Sequence, residues 1–424
     1  MMGRMARCGI TTLAVVLALS AVALDGQRAD PVHRISVDGE DFSDLAFLEH
    51  VLEDARIVQL GENGHGAGES MQARARIARF LHRELGFSVL AFESSLFICH
   101  LADLSAATRD PQRTLTSSVI GVWHTAEMLP LFEYLHETRA SSSVLRLAGF
   151  DVQPIGGNRK QRPAFFSNLV AAIDPEYATT VQALDTEFLA AYDAGGSERR
   201  AYLRAHVDRL AAQYEALASF IERHISALQQ SAGREAPLVA AQEARSAAAY
   251  VRFQTAPDMR AYTERRDRGM FENLRFLAER MFPSQKIIVW GHNYHLRHEN
   301  EAIPAVTEIF PGVAAHTMGT WTREHFGRRV FTIGEYAFEG EAVDNSRTPY
   351  TIARAAEGSL EQRLLEATGG AASIVELAGA AAPPWARTVL SARYNGQQEQ
   401  MLTPAAQYDA ILFLPRVSPP RFLY

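Results

Sequence analysis

Six short runs rich in β-branched and aliphatic residues recur along the chain, and each stops abruptly in a glycine or a polar residue or at a helix-breaking proline. They are Arg56–Leu60, Phe87–Glu93, Val144–Asp151, Lys286–Trp290, Val330–Gly334 and Asp409–Pro415. Patterns of helical spacing separate them, which is the signature of a βαβ architecture. Most runs are too continuously apolar for strands with one wetted face, so the sheet they build is covered on both faces. The fold class expected is α/β, with a largely parallel or mixed sheet flanked by helices. Between Pro163 and Arg280 the chain turns Ala-, Leu-, Glu- and Arg-rich, with apolar residues at helical spacing and no strand pattern. A helical lid is expected over 163–280, dividing the α/β core into a first part, 24–162, and a second, 281–424. Asp174-Pro175, Gly195-Gly196 and Gly233 mark helix ends inside it. The Gly- and Ala-biased stretch from Gly369 to Pro384 reads as a surface loop.

The first residues are set apart from the fold. Met1–Arg7 is a basic region, residues 9–19 are apolar, and Ser20-Ala-Val-Ala23 offers a small-residue cleavage site. This reads as a signal peptide over 1–23, because a spanning helix needs roughly 20 apolar residues. The expected location is periplasmic or secreted, with no stable membrane insertion after cleavage. Cys8 leaves with the signal, so Cys99 has no intrachain partner and reads as a small buried hydrophobe. Removing Arg4 and Arg7 makes a chain of formal charge -7 more acidic still, and no Lys/Arg-rich run offsets it. A nucleic acid partner is therefore not expected. With 424 residues, 47% of them hydrophobic, the chain can bury a sizeable core.

The segment with most chemistry in it is Leu60-Gly-Glu-Asn-Gly-His-Gly-Ala-Gly-Glu69, between a strand pattern and the amphipathic pattern Met71–Leu85. Its glycines let the backbone turn sharply at the carboxyl end of a strand, where open α/β sheets bind ligands. Glu62, His65 and Glu69 then face a crevice, and Arg74 on the following helix reaches back to it. Other strands also end in polar residues: Glu93, Asp151 with Gln153 two residues on, and Gly291-His-Asn-Tyr-His295. In a parallel sheet Glu62, His65, Glu93, Asp151, His292 and His295 meet at one edge. Carboxylates beside imidazoles suit acid/base hydrolysis, because a carboxylate holds an imidazole in the tautomer that activates water. No Gly-x-Ser-x-Gly elbow, phosphate loop or His-Glu-x-x-His helix is present. Metal binding by His65 with Glu62 and Glu93, or by His292-x-x-His295, stays open on ligand type without ligand spacing. The rival readings are a metal-dependent hydrolase or haem-binding protein, and a non-catalytic periplasmic binding or envelope-polysaccharide protein.

The loop Gly61–Glu69, then Arg74 and Phe92-Glu93, resembles the hallmark of the erythromycin esterase family, a Gly-Glu-x-x-His-Gly-x-x-Glu loop. Further segments agree in order: Trp123-His-Thr-Ala-Glu127, Gly149-Phe-Asp-Val-Gln153, Arg266-Asp-Arg-Gly-Met-Phe-Glu-Asn273 and Val289-Trp-Gly-His-Asn-Tyr-His295. The resemblance spans about residues 45–415. It implies an α/β sheet with a helical lid and hydrolysis without metal or cofactor, in which a histidine activates water for attack on a lactone ester. Carried over by position, it makes Glu62, His65, Arg74, Glu93, His292 and His295 the catalytic candidates. His292 or His65 would be the general base, Glu62 and Glu93 would orient imidazole or water, and Arg74 would organise the carboxylates or stabilise the oxyanion. Glu69, Trp123, Asp151, Gln153 and Asn293 are the substrate-binding candidates, and the partner is a small-molecule ester or lactone. The loop departs at Asn63-Gly64, where macrolide-resistance members usually carry a small residue followed by Thr or Ser, so an esterase is better supported than a macrolide esterase.

Overall fold

The computed structural model describes residues 30–303, 315–379 and 381–423. The expected signal segment, 1–23, and Cys8 lie outside the described residues. Along the chain run β1 (Val32–Arg34), β2 (Ile57–Glu62), β3 (Phe87–Ser95), β4 (Arg146–Asp151), β5 (Lys286–His292) and β6 (Val330–Val343). They are followed by β7 (Pro349–Ile352), β8 (Ser373–Glu376), β9 (Leu390–Tyr394), β10 (Gln398–Leu402) and β11 (Ala410–Val417). Nine strands form one sheet in the order β1-β8-β11-β6-β2-β5-β3-β4, with β7 paired to β6, while β9 and β10 make a separate hairpin. The six strands from β11 to β4 are parallel, and β1, β7 and β8 join antiparallel. The α/β class with a mostly parallel sheet is thus as expected from the sequence.

Why these runs form central strands is visible in how their residues divide. Val58, Leu60, Leu90, Phe92, Ile288 and Trp290 point into one core, with the helices Gly68–Arg83 and Leu129–Thr138 packed over it. Their neighbours Ile57, Val89, Ala91, Ile287 and Val289 point into another, beneath the helices Met259–Phe276 and Met318–Phe326. Alternate residues are therefore buried on opposite faces, as a continuous apolar run requires. The register sets Glu62 beside His292, Phe92 beside Trp290 and Ser95 beside Asp151, so the polar ends of four strands share one edge.

The helical region comprises Arg162–Ala171, Pro175–Ala194, Gly196–Arg223, Ile225–Ala232, Glu235–Gln254 and Met259–Phe276. Asp174 caps the second of these by accepting from the Tyr177 backbone, and Pro175 occupies the first turn, where its missing N–H costs nothing. Gly195, at φ 72, separates the second from the third. These helices share an apolar core of their own around Phe188, Leu210, Tyr214 and Tyr250. Buried within it, Arg162 bridges Asp185 at 2.7 Å and Glu243 at 2.7 Å, and the Tyr214 hydroxyl donates to Asp185. Among the described residues no helix is long and apolar enough to cross a membrane.

One expectation is corrected. The stretch from Gly369 to Pro384, expected as a surface loop, contains β8, whose Ile374 and Val375 are fully buried beside β11. Beyond β11 the chain folds back over the start of helix Gly68–Arg83. Gly68 N–H donates to Ser418 O at 2.8 Å, and Ala126 N–H donates to Arg421 O at 2.8 Å.

Candidate active site

Glu62 closes β2 at zero exposure, and its environment follows from the turn after it. Gly61 admits no side chain, since a Cβ there would lie 2.2 Å from Asn293 Oδ1. Glu62 Oε1 accepts from His65 Nδ1 at 2.5 Å and from Trp123 Nε1 at 3.1 Å. Its Oε2 is held by Arg74 Nη2 from helix Gly68–Arg83. Arg74 is 1% exposed, and its guanidinium lies 4.0 Å over the Trp290 ring. Burial would raise the Glu62 pKa, but the charges of Arg74 and His65 outweigh it and keep the carboxyl below its ordinary value. For His65 burial works downward, and the charge and hydrogen bond of Glu62, with Glu93 beyond, hold the imidazole above its ordinary value. These partners assign the tautomer: Nδ1 carries the proton given to Glu62, and Nε2 carries a lone pair. Among the described residues no group hydrogen-bonds Nε2. His65 lines a cavity of about 660 Å³.

A second cluster lines the same cavity. Arg266, from helix Met259–Phe276, donates to Glu93 Oε1 at 2.9 Å and to Asp151 Oδ2 at 2.8 Å. Gln153 donates to Asp151 Oδ2 at 2.9 Å and completes that corner. His295 gives its Nδ1 proton to Asp267 at 2.8 Å and accepts from Arg266 at Nε2, 3.0 Å away. Both ring nitrogens of His295 are thus engaged, and its Nε2 also lies 3.4 Å from Glu93 Oε1. Burial works against ionised Glu93, but His295, Arg266 and His65 prevail and keep its carboxyl far below the usual range.

His292 differs from His65. Its Nδ1 accepts the Tyr294 backbone N–H at 3.0 Å, and its Nε2 lies 2.7 Å from Asn395 Oδ1. Both nitrogens are occupied, and burial with the neighbouring His65 pushes its pKa down to about 3. The ring is a neutral wall element 5.2 Å from His65, centroid to centroid.

The structure therefore brings His65, Glu93, Asp151, Gln153, His292 and His295 to one cavity, with Glu62 and Arg74 directly behind His65. Three substrate-binding candidates are not brought to its wall. Glu69 accepts from Ser418, at 2.7 Å from its backbone N–H and 2.5 Å from its hydroxyl. Asn293 is 3% exposed and braces β5 against β6, donating to Glu335 O at 2.8 Å and accepting from Glu335 N at 3.1 Å. Trp123 is fully buried and serves Glu62 from behind.

Other residues of the site carry no local mark in the sequence. Arg266 and Asp267 stand out there only within the family-like helix motif, and Asn395 and Glu335 stand out not at all. Asn395 belongs to the β9–β10 turn, which is fastened to the loop by Asn63: its side chain donates to Arg393 O at 2.7 Å and accepts from Asn395 N at 2.9 Å. This explains Asn63 in the loop. Glu335 on β6 accepts from Asn63 N at 2.8 Å and from Ser70 Oγ at 3.2 Å. Burial pushes its pKa up to about 7, against the pull of the Asn63 N–H and Arg74.

Among the described residues no group of three or more His, Cys, Asp or Glu is placed to hold a metal ion. A larger groove, about 1200 Å³, lies between the helices Gly196–Arg223, Glu235–Gln254 and Met259–Phe276, and no candidate residue lines it. Cys99 is buried, with its thiol pKa raised by burial.

Comparison with known proteins bears on this geometry. Residues 82–417 match the model of a family described as erythromycin esterase. A Bacillus subtilis (strain 168) protein named "Putative hydrolase YbfO" is 30% identical over 97% of this chain and 98% of its own. A solved Bacillus cereus protein superposes with a TM-score of 0.76 at 19% identity, over 93% of this chain and 97% of that one. A mutant of the erythromycin esterase EreC, in its open conformation, superposes with a TM-score of 0.70 at 18% identity, over 93% of this chain and 99% of that one. The last two show a shared fold.

Proposed function

This chain belongs to the erythromycin esterase family, and from that premise we propose that it is an exported hydrolase of carboxylic esters or lactones that works by histidine-activated water. Membership and the hydrolase relative support the hydrolase class. The observation that carries the finer reading is His65, with Nδ1 fixed on buried Glu62 and Nε2 free toward the cavity. Neutral His65 takes a proton at Nε2 from a water molecule as the water oxygen bonds to the ester carbonyl carbon. The imidazolium is stabilised by Glu62, whose ionised form Arg74 secures. It returns the proton to the leaving alkoxide as the carbon–oxygen bond breaks, giving an acid and an alcohol. Arg266 pairs with both Glu93 and Asp151 and fixes that part of the cavity wall. Export, to the periplasm or the medium, rests on the signal-like segment 1–23 alone.

The test is mass-resolved turnover of macrolides, aryl esters and simple lactones by wild type and His65→Asn, each with and without chelator. Gain of one water, lost in the variant and indifferent to chelator, is the expected result. An unchanged rate in the variant would remove His65 from the mechanism. Loss of activity on chelation would replace this mechanism by a metal-assisted one.

A further inference from the structure

Ligand pockets are ordinarily lined mainly by apolar and aromatic side chains, with a few polar groups to fix orientation. This cavity departs from that composition in a particular way. Its charged lining is carboxylate-rich: Arg266 lies between Glu93 and Asp151, and Asp344 and Arg347 line the cavity as well. Its rim, from the β6–β7 and β9–β10 turns, presents the side chains of Asn345, Ser346 and Gln397. These three are exposed, and their side chains make no hydrogen bond to the described residues. Tyr350 and Tyr394 also line the cavity. Among the described residues, aliphatic side chains come from Ile120, Val122, Ile155 and Val343, two of them buried. A large apolar ring seated here would cover unsatisfied amides and hydroxyls, and each buried polar group left unpaired costs about 1–3 kcal/mol. A compact array of amide donors and acceptors beside aromatic faces, with carboxylates that can accept from hydroxyls, instead matches a molecule bearing many hydroxyls.

We infer that the alcohol part of the substrate is a carbohydrate, so that the cavity takes an O-acylated sugar and releases the acyl group. The inference rests on the ester-hydrolase reading and narrows it. In the reaction, water adds across the acyl carbonyl, the bond from carbonyl carbon to sugar oxygen breaks, and a carboxylic acid and a free sugar hydroxyl result. Asn345 and Gln397 are assigned to the sugar hydroxyls, as specificity-determining residues remote from the bond that breaks.

The experiment compares kcat/KM of the full protein on mono-O-acetylated xylobiose, 6-O-acetylglucose, 4-nitrophenyl acetate and erythromycin, following acetate or ring opening by NMR. Acetylated sugars are expected to exceed erythromycin by about tenfold or more, the discrimination that one or two hydrogen-bonded hydroxyls supply. The double variant Asn345→Ala/Gln397→Ala is expected to reduce the preference for acetylated xylobiose over 4-nitrophenyl acetate by roughly five- to tenfold. If erythromycin and the aryl ester are turned over while acetylated sugars are inert, the inference fails and the esterase reading stands. If no ester is hydrolysed, both fail. If sugar esters are preferred but the double variant keeps the preference, the assignment of Asn345 and Gln397 is wrong.

Discussion

Asn395 Oδ1 lies 2.7 Å from Nε2 of His292, on the very nitrogen through which that ring would have to act as a base. The Tyr294 N–H occupies the other nitrogen, so of the two histidines best matched to the family's base only His65 has a lone pair on the cavity. His65→Asn is expected to lower kcat by about 10²–10⁴, the usual contribution of a positioned base. His65 is not fully buried and its ring carries little of the core, so the thermal midpoint should move by no more than a few degrees. Steady-state kinetics beside a melting curve separate the two effects, and a collapse of the midpoint would mark His65 as structural.

The pH profile follows from the direction of the His65 shift. The base acts when neutral, and Glu62 holds its folded pKa above the ordinary imidazole value. Activity should therefore rise with pH along a limb centred above about 6.5. Glu62→Gln removes the charge that raises it, leaving burial to pull the pKa down, so the limb should move to lower pH while the plateau falls. A limb that stays in place would show that another group titrates.

Arg74 supports the site from behind. Buried at 1% exposure, it is the cation that compensates Glu62 at zero exposure. Arg74→Met leaves a buried carboxylate without its partner, a change that costs about 3–5 kcal/mol. Urea unfolding of wild type and variant measures this difference; a loss below about 1 kcal/mol would put the pair in the class of exposed bridges.

Glu335 provides a stability signature distinct from catalysis. Its folded pKa, about 7, exceeds its ordinary 4.5, so the folded protein keeps a proton that the unfolded chain releases between these values. Its contribution is thus fully present below pH 4.5 and is lost as pH rises through 7. Glu335→Gln should hold that contribution constant, so the stability difference between variant and wild type should grow by roughly 2–3 kcal/mol from pH 5 to pH 8. Parallel stability curves across that range would show that Glu335 is ionised throughout.

The parts of the site that the sequence reveals are those fixed by local pattern. A fully covered parallel strand is apolar until it leaves the sheet, so a polar residue at its end marks the edge, and this identifies Glu62, Glu93, Asp151 and His292. Arg266 is beyond such reasoning. It is one arginine on a helix rich in them, and it reaches the site because that helix packs closely on β4, where a Cβ on Gly269 would lie 2.7 Å from Val152 Cγ1. Glu69 misled for the same reason in reverse. An acid at the start of the helix after a glycine loop looks aimed at the crevice, but its partner, Ser418, is 349 residues away. β8 was hidden because four residues between glycines and alanines are too short to show a period.

The fastening of Gly68 and Glu69 by Ser418, together with the place of β11 between β6 and β8, has a meaning for how the protein is made. A ribosome adding about 5–20 residues per second delivers Ser418 roughly 20–70 s after Glu69. Throughout that interval the histidine loop is attached to a sheet that has a gap where β11 belongs. The nascent chain is therefore expected to be inert, and catalytic competence is the last property it acquires.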